Sequence, residues 1–302
     1  MNTTTNPRAT SISFLQNIIA KGGPEKREYD TLNKVFDLLS EDYKSGKMSA
    51  EEIRLLHQGF GDECLKTTLH GHARSKPYGY AGDFMIIDKI YREQVTSDQR
   101  FEKWDIFWNN QSATKAVRNR KDYFIHTMMD RLSAKTSLRL LNVASGPARD
   151  LAELYQLIKP EQLETVCIEA DKTAIAYAQA LNEANLHRIE FIHQNIFRFS
   201  TNEHFDMVWS AGLFDYFDDG IFVKLLRKFM SWTKPGGEVI IGNFSLENPS
   251  RNCMEIIGDW YLRHRSEEEL VQFALSAGAA KENIRVGKEA EAVNLFLHVI
   301  VQ

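Results

Sequence analysis

The chain has 302 residues, of which 43% are hydrophobic and 26% charged, and its formal net charge at pH 7 is −4. This composition is typical of a soluble globular protein, and the net acidity argues against a broad nucleic-acid-binding surface. No apolar run approaches the roughly 20 residues that a membrane-spanning helix needs, and the N-terminus lacks a signal-peptide pattern. The three cysteines (Cys64, Cys167 and Cys253) show no CxxC spacing. We therefore expect a cytoplasmic protein without a disulfide framework.

The N-terminal region, up to about residue 130, has the pattern of a helical domain. Apolar residues recur at helical spacing between Ser11 and Lys21 and again between Tyr29 and Tyr43. Ser49 and Glu52 form a capping box at the start of a further helix. The basic run from Lys115 to Lys121 is interpreted as a solvated helix face. We expect residues 1–132 to form a helical cap or lid and residues 133–302 to form the catalytic domain.

One segment of the helical region, His70 to Asp83, predicts a structured loop. It contains glycine, proline, Tyr78 and Tyr80 among charged residues, and such loops carry function more often than core elements do. The alternative is that the tyrosines fill gaps between helices. His70 and His72 have no acidic or cysteine partner at ligand spacing, so no metal site is predicted.

From Leu138 onward the sequence alternates between strands and helices. Apolar runs at 138–143, 165–168, 189–193, 205–210 and 238–241 predict strands. Two final runs, 284–286 and 293–301, are separated by a short turn and predict an antiparallel hairpin at the sheet edge. The sequence therefore predicts an α/β fold with a Rossmann-like, doubly wound sheet, whose ligand lies at the carboxyl ends of the strands.

Small and polar residues follow the successive strands at that edge. The first strand ends in a small-residue turn around Gly146, which suits a nucleotide-binding corner although GxGxxG is absent. Glu169, after the second strand, is placed to accept hydrogen bonds from ribose hydroxyls. Asn195, after the third strand, carries an amide for an adenine edge. The predicted cofactor-binding residues are Ala144, Ser145, Gly146, Glu169, Ala170, Asn195, Ile196, Ser210 and Gly212.

The order of these features resembles the class I S-adenosylmethionine (SAM)-dependent methyltransferases. Over about Leu138 to Val301, Asn142-Val-Ala-Ser-Gly146 is similar to the first motif of the family and Glu169 to its ribose-binding acid. The turn Lys234-Pro-Gly-Gly237 is also typical of the family. The segments VASGPARDLAE, GLFDYFDD, GDWYLRHRSEEEL and KPYGYAGD resemble a bacterial subgroup associated with secondary metabolites and quorum-sensing fatty-acid esters. The resemblance implies SAM as cofactor and a small-molecule substrate.

Two positions depart from the family pattern. Asn142 stands where the family usually has an acid, and Pro147-Ala148 replace the usual second glycine. A neutral Asn142 changes how the ammonium group of SAM would be held. Aromatic faces, among them Trp209 and Phe214, are candidates to hold the sulfonium through cation–π contact, and Asp83 and Asp215 are candidate bases. The predicted catalytic residues are Tyr78, Tyr80, Asn142, Ser210 and Tyr216.

Three functions fit this sequence. The leading hypothesis is methyl transfer from SAM to a small carboxylate or secondary metabolite. The alternative is a SAM cyclase related to azetidine-2-carboxylate synthases, in which the amino group of SAM attacks its own γ-carbon and methylthioadenosine leaves. The third is a non-catalytic SAM-binding module. None of the three involves nucleic acid or a membrane.

Overall fold

The computed structural model describes residues 7–302 of the protein. Within this range the chain divides into two compact units. The first unit contains residues 7–115 together with Pro249–Tyr261, and the second contains Ala116–Asn248 and Leu262–Gln302. The second unit therefore begins before residue 133, the first residue of the predicted catalytic domain, and a late segment of the chain returns to the helical unit. No helix in residues 7–302 is long and apolar enough to cross a membrane.

Among the described residues, strands occur only after the eighth helix, and from there they largely alternate with helices. The helices are α1 (Pro7–Ala20), α2 (Tyr29–Lys44), α3 (Ala50–Gln58), α4 (Gly61–Thr67), α5 (Leu69–Ser75), α6 (Phe84–Tyr91), α7 (Glu102–Asn109), α8 (Ser112–Ala134), α9 (Arg149–Leu157), α10 (Lys172–Leu181), α11 (Asp219–Ser231), α12 (Arg251–Gly258) and α13 (Glu267–Ala277). The strands are β1 (Leu138–Val143), β2 (Leu163–Glu169), β3 (Ile189–His193), β4 (Phe205–Ser210), β5 (Thr233–Phe244), β6 (Ile284–Lys288) and β7 (Asn294–Ile300).

The first unit contains α1 to α7 and α12, and its predicted helix starts are largely confirmed. The capping box before α3 is present, because Glu52 N donates to Ser49 Oγ at 3.2 Å and Ser49 N donates to Glu52 Oε2 at 2.8 Å. The prediction of a loop from His70 to Asp83 is wrong for its first part, which lies in α5. Thr68 starts this short helix, since its Oγ1 accepts a bond from Gly71 N at 3.2 Å. The loop begins only at Lys76, whose φ of 48° ends the helix.

The second unit is built on a seven-stranded sheet in the order β3-β2-β1-β4-β5-β7-β6. Strands β1 to β5 pair in parallel, and β7 runs antiparallel to both β5 and β6. This topology confirms the predicted Rossmann-like sheet with an antiparallel C-terminal hairpin. The Lys234–Gly237 segment lies inside β5, where the register with β4 shifts.

Both faces of the sheet are covered by apolar side chains. Leu141 on β1 belongs to one buried cluster with residues of α11 and α13, including Leu226 and Leu270. Its neighbour Leu140 belongs to a second cluster with residues of α8 and α9, including Phe124 and Leu151. Successive side chains of a strand point to opposite faces, so burial on both sides explains why β1 is an uninterrupted apolar run. Polar side chains that could bind a ligand are therefore expected at the ends of the strands.

Candidate functional site

The turn after β1 adopts left-handed backbone conformations at three alternate residues. The φ angles are 55° at Ala144, 54° at Gly146 and 49° at Ala148. Such conformations cost a non-glycine residue roughly 1–2 kcal/mol, so small residues suit this turn. Ala144 N donates to Ile168 O of β2 at 2.8 Å, which fixes the start of the turn. No atom lies within 4 Å of the place where a Cβ on Gly146 would stand, so the backbone faces open space there.

Glu169 at the end of β2 holds this turn through its carboxylate. Oε2 accepts a bond from Gly146 N at 2.9 Å, and Oε1 accepts bonds from Ala170 N at 2.7 Å and Asp171 N at 3.0 Å. The residue is 7% exposed. A carboxylate offers about four acceptor positions, so the side chain retains capacity for a hydroxyl group of a ligand.

Three buried polar atoms at the same edge have no partner with hydrogen-bond geometry among the described residues: Asn142 Nδ2, Ser145 Oγ and Ser210 Oγ. Asn142 on β1 pairs with Trp209 on β4, which places Ser210 one residue further along the neighbouring strand. The thiol of Cys167, whose pKa is raised by burial, lies close enough to Ser145 to interact with it. Since buried polar groups are normally satisfied, these atoms fit a polar ligand at the strand ends.

Arg120 is a site residue that sequence reasoning missed. It is only 6% exposed, so the interpretation of the basic run as a solvated face is wrong at this position. Its Nη1 donates to Ala211 O just after β4 at 3.2 Å, and lies 3.3 Å from the place where a Cβ on Gly212 would stand. A glycine at position 212 therefore leaves room for the guanidinium beside the strand ends.

Two buried carboxylates, Asp150 and Asp215, lie near enough to Arg120 to be influenced by its charge. Burial raises the pKa of Asp150 and of Asp215 to about 6, and the positive charge of Arg120 partly opposes the shift in both. Asp215 also has a structural role, because its Oδ1 accepts a bond from Phe244 N at 2.7 Å at the end of β5. Its backbone oxygen accepts a bond from Arg263 N at 2.7 Å. Asp215 thus fastens the loop after β4 to the neighbouring strand.

The remaining predicted site residues of the second unit are partly exposed and partly buried. Asn195 is exposed, and its Oδ1 accepts a bond from Phe197 N at 2.9 Å, whereas Ile196 is buried in the core. Tyr216 is 40% exposed. Trp209 and Phe214 are buried in the two apolar clusters, so their ring faces are already covered.

Tyr78 and Tyr80 belong to the first unit, and each is 37% exposed. The Tyr78 ring packs against Phe84 with a centroid distance of 4.6 Å. Asp83 is fully buried, and its Oδ1 caps α6 by accepting bonds from Met85 N and Ile86 N. Both of its oxygens also lie within 3.0 Å of His72 Nε2. The structure therefore brings Asn142, Ser210 and the residues around Gly146 and Glu169 together, while the two tyrosines stand in the other unit.

Comparison with known proteins agrees with the observed fold. Residues 140–237 match the family model described as a methyltransferase domain. A possible exported protein from Bordetella parapertussis is similar in fold at 16% identity and a TM-score of 0.64, with 100% of this chain and 99% of that chain covered. The magnesium protoporphyrin IX methyltransferase of Synechocystis PCC 6803 with bound S-adenosylhomocysteine (SAH) is 12% identical, with a TM-score of 0.50 and coverages of 72% and 98%. No curated protein matches the sequence.

The buried carboxylates predict a pH dependence of stability. Burial raises the pKa of Asp150 to about 6, above roughly 3.9 in an unfolded chain. The fold therefore favours the neutral acid, a contribution fully present below about pH 4 and lost as the pH rises through about 6. Between pH 4 and 7, the free energy of unfolding of the wild type should fall by about 2 kcal/mol more than that of Asp150→Asn.

Urea unfolding at each pH measures this difference. Asp130→Asn is the matched control, because Asp130 is an exposed aspartate on α8. Parallel profiles for Asp150→Asn and the wild type would show that Asp150 is not stabilised as the neutral acid.

Proposed function

We propose that this protein binds SAM and methylates a small-molecule acceptor, either a carboxylate or a secondary metabolite. The premise is that the second unit has the fold of SAM-dependent methyltransferases. The observation that carries the proposal is the set of unsatisfied buried polar atoms on Asn142, Ser145 and Ser210. They lie at the carboxyl edge of adjacent strands, where ligands of doubly wound sheets bind.

Each part of SAM has a fitting group on the chain. Glu169 has acceptor capacity for the ribose hydroxyls, and the open space over Gly146 allows close approach to the backbone. Asn195, after β3, presents its amide for the adenine edge, beside the apolar Ile196. Ala170 and Gly212 contribute backbone at the ends of β2 and β4, where side chains would narrow the site.

Arg120 suits the methionyl carboxylate of SAM. A guanidinium offers a planar fork that matches a carboxylate with two parallel hydrogen bonds. Arg120 is buried beside Ala211 and Gly212, and buried Asp150 and Asp215 balance its charge. Arg120 would thus hold the carboxylate of the aminoacyl end, while the neutral Asn142 offers no charge to its ammonium group.

The chemistry that SAM supplies is a methyl group on a sulfonium, displaced in line by the acceptor. The chain must orient the acceptor and exclude water. We propose Tyr216 as an aromatic face for the sulfonium. Asp83 and Asp215 are both buried and bonded within the fold. An acceptor that is already ionised, such as a carboxylate, would need no base.

A SAM cyclase is the second candidate, and Asn142 is the observation that favours it. In that reaction the amine forms a bond to the γ-carbon, the bond from that carbon to sulfur breaks, methylthioadenosine leaves, and the amine loses a proton. A neutral side chain at position 142 leaves the amine of SAM without an ion pair there. The reactive free amine would then be easier to form.

Product analysis by mass spectrometry separates these functions. Incubation of the protein with SAM alone should give no turnover, and a panel of small carboxylates should then give SAH and a methylated product. Methylthioadenosine and azetidine-2-carboxylate from SAM alone would contradict methyl transfer and support the cyclase. SAM binding without turnover on any acceptor would support the non-catalytic module.

Glu169→Gln tests the ribose site. The amide keeps the shape but loses the charge and one acceptor oxygen, so we expect the Kd of SAM to rise about 10- to 100-fold, since hydrogen bonds to charged groups contribute about 1.5–3 kcal/mol. Calorimetric titration measures the change. Glu164→Gln is the control, because Glu164 lies on the same strand with a side chain 56% exposed. Equal affinity in Glu169→Gln and the control would remove Glu169 from the site.

Arg120→Lys tests the carboxylate contact. Lysine keeps the positive charge between Asp150 and Asp215 but loses the fork, so we expect SAM to bind about tenfold more weakly. Methylthioadenosine has no methionyl carboxylate, and its affinity should be unchanged. Binding of both ligands is measured on the same variant. An equal loss for both would show that Arg120 acts by shaping the strand ends instead.

A further inference from the structure

The helical first unit contains three buried nitrogen atoms that lack partners among the described residues. They are His70 Nδ1, Arg74 Nη1 and Trp108 Nε1. His70 and Arg74 lie one turn apart on α5, and the rings of His70 and Trp108 have centroids 6.1 Å apart. His70 is fully buried and Trp108 is 3% exposed. Buried polar atoms without a partner are rare and costly, so three of them on neighbouring side chains point to a ligand.

Cys64 sets the hydrogen-bonding role of His70. Burial, with a smaller effect from the charge of Arg74, lowers the pKa of His70 to about 3, so the ring is neutral at pH 7. Burial raises the pKa of the Cys64 thiol to about 11, so its sulfur keeps its proton. Cys64 Sγ lies 3.6 Å from His70 Nε2, and we assign the thiol as the donor to that nitrogen. Nδ1 then carries the N–H of the ring.

The nearby carboxylates are already engaged. Asp259 acts on Arg74, but its Oδ2 is bound by Lys76 Nζ at 2.6 Å. Asp105 accepts bonds from Leu69 N at 2.7 Å and Thr96 N at 2.8 Å. The cluster of His70, Arg74 and Trp108 therefore presents three donors and one permanent positive charge.

We propose that His70, Arg74 and Trp108 bind the carboxylate group of a small molecule. A water molecule suits the cluster poorly, because its two hydrogens would find no acceptor among three donors. A single positive charge matches a monoanion, and two oxygens can share the three donors. Arg74 as a whole is only half-buried, although its Nη1 is buried.

This inference goes beyond the proposed function, because it assigns the helical unit an anion site of its own. The binding of a carboxylate by the three donors can be tested without SAM and without turnover.

The test follows the indole N–H signals of the full chain labelled with 15N-tryptophan. The chain has five tryptophans, and Trp108→Phe identifies the Trp108 signal. Titration with acetate should shift this signal saturably, while the neutral methyl acetate should not. Arg74→Gln should weaken acetate binding at least tenfold. Arg54→Gln is the control, because Arg54 is an exposed arginine of the same unit paired with Glu51, and it should bind acetate like the wild type.

Two results would overturn the proposal: an acetate titration that leaves the Trp108 signal in place, or the same saturable shift in Arg74→Gln as in the wild type. The Trp104 signal and the unfolding midpoint report whether Arg74→Gln is folded. If it is not, Arg74→Lys takes its place, and the loss of the fork should still weaken acetate binding. SAM affinity measured on the same samples keeps the two proposals apart. A wild type that binds acetate but not SAM would contradict only the proposed function.

Discussion

The carboxylate of Glu169 is the contact on which the candidate site depends. It receives backbone N–H groups from Gly146 in one turn and from Ala170 and Asp171 in the next. Hydrogen bonds to a charged acceptor stabilise by about 1.5–3 kcal/mol, enough to offset the left-handed conformations of the first turn. One side chain therefore fixes the ends of β1 and β2 relative to each other. The same side chain is the proposed ribose ligand, so one carboxylate would both hold the two turns together and bind SAM.

A second constraint is the burial of Arg120. A guanidinium removed from water is tolerated only with acceptors and opposite charge nearby, and Ala211 O, Asp150 and Asp215 supply them. Asp215 also ties the loop after β4 to the end of β5. Asp215 thus links the charged group of Arg120 to the loop after β4, which carries Tyr216.

Much of the sheet could be predicted from the sequence, because apolar runs of strand length alternate with helical patterns and because parallel strands bring their carboxyl ends to one edge. Glu169 and Ser210 followed from that rule. Arg120 did not, since a basic residue in a basic run looks exposed until its partner, 91 residues away, is known. The helix α5 was missed because seven residues give too little periodicity, and its cap, Thr68, is recognised only once Gly71 N is seen to bond it.

The ionisation of the acceptor decides how much the site must do in the proposed methyl transfer. Asp215 accepts a bond from Phe244 N through Oδ1 and one from Arg263 N through its backbone oxygen. Using Asp215 as a base would therefore draw on a residue that also fastens the loop after β4. A carboxylate acceptor is already ionised at neutral pH and needs no base. Of the proposed acceptors, a carboxylate therefore makes the smallest demand on this loop.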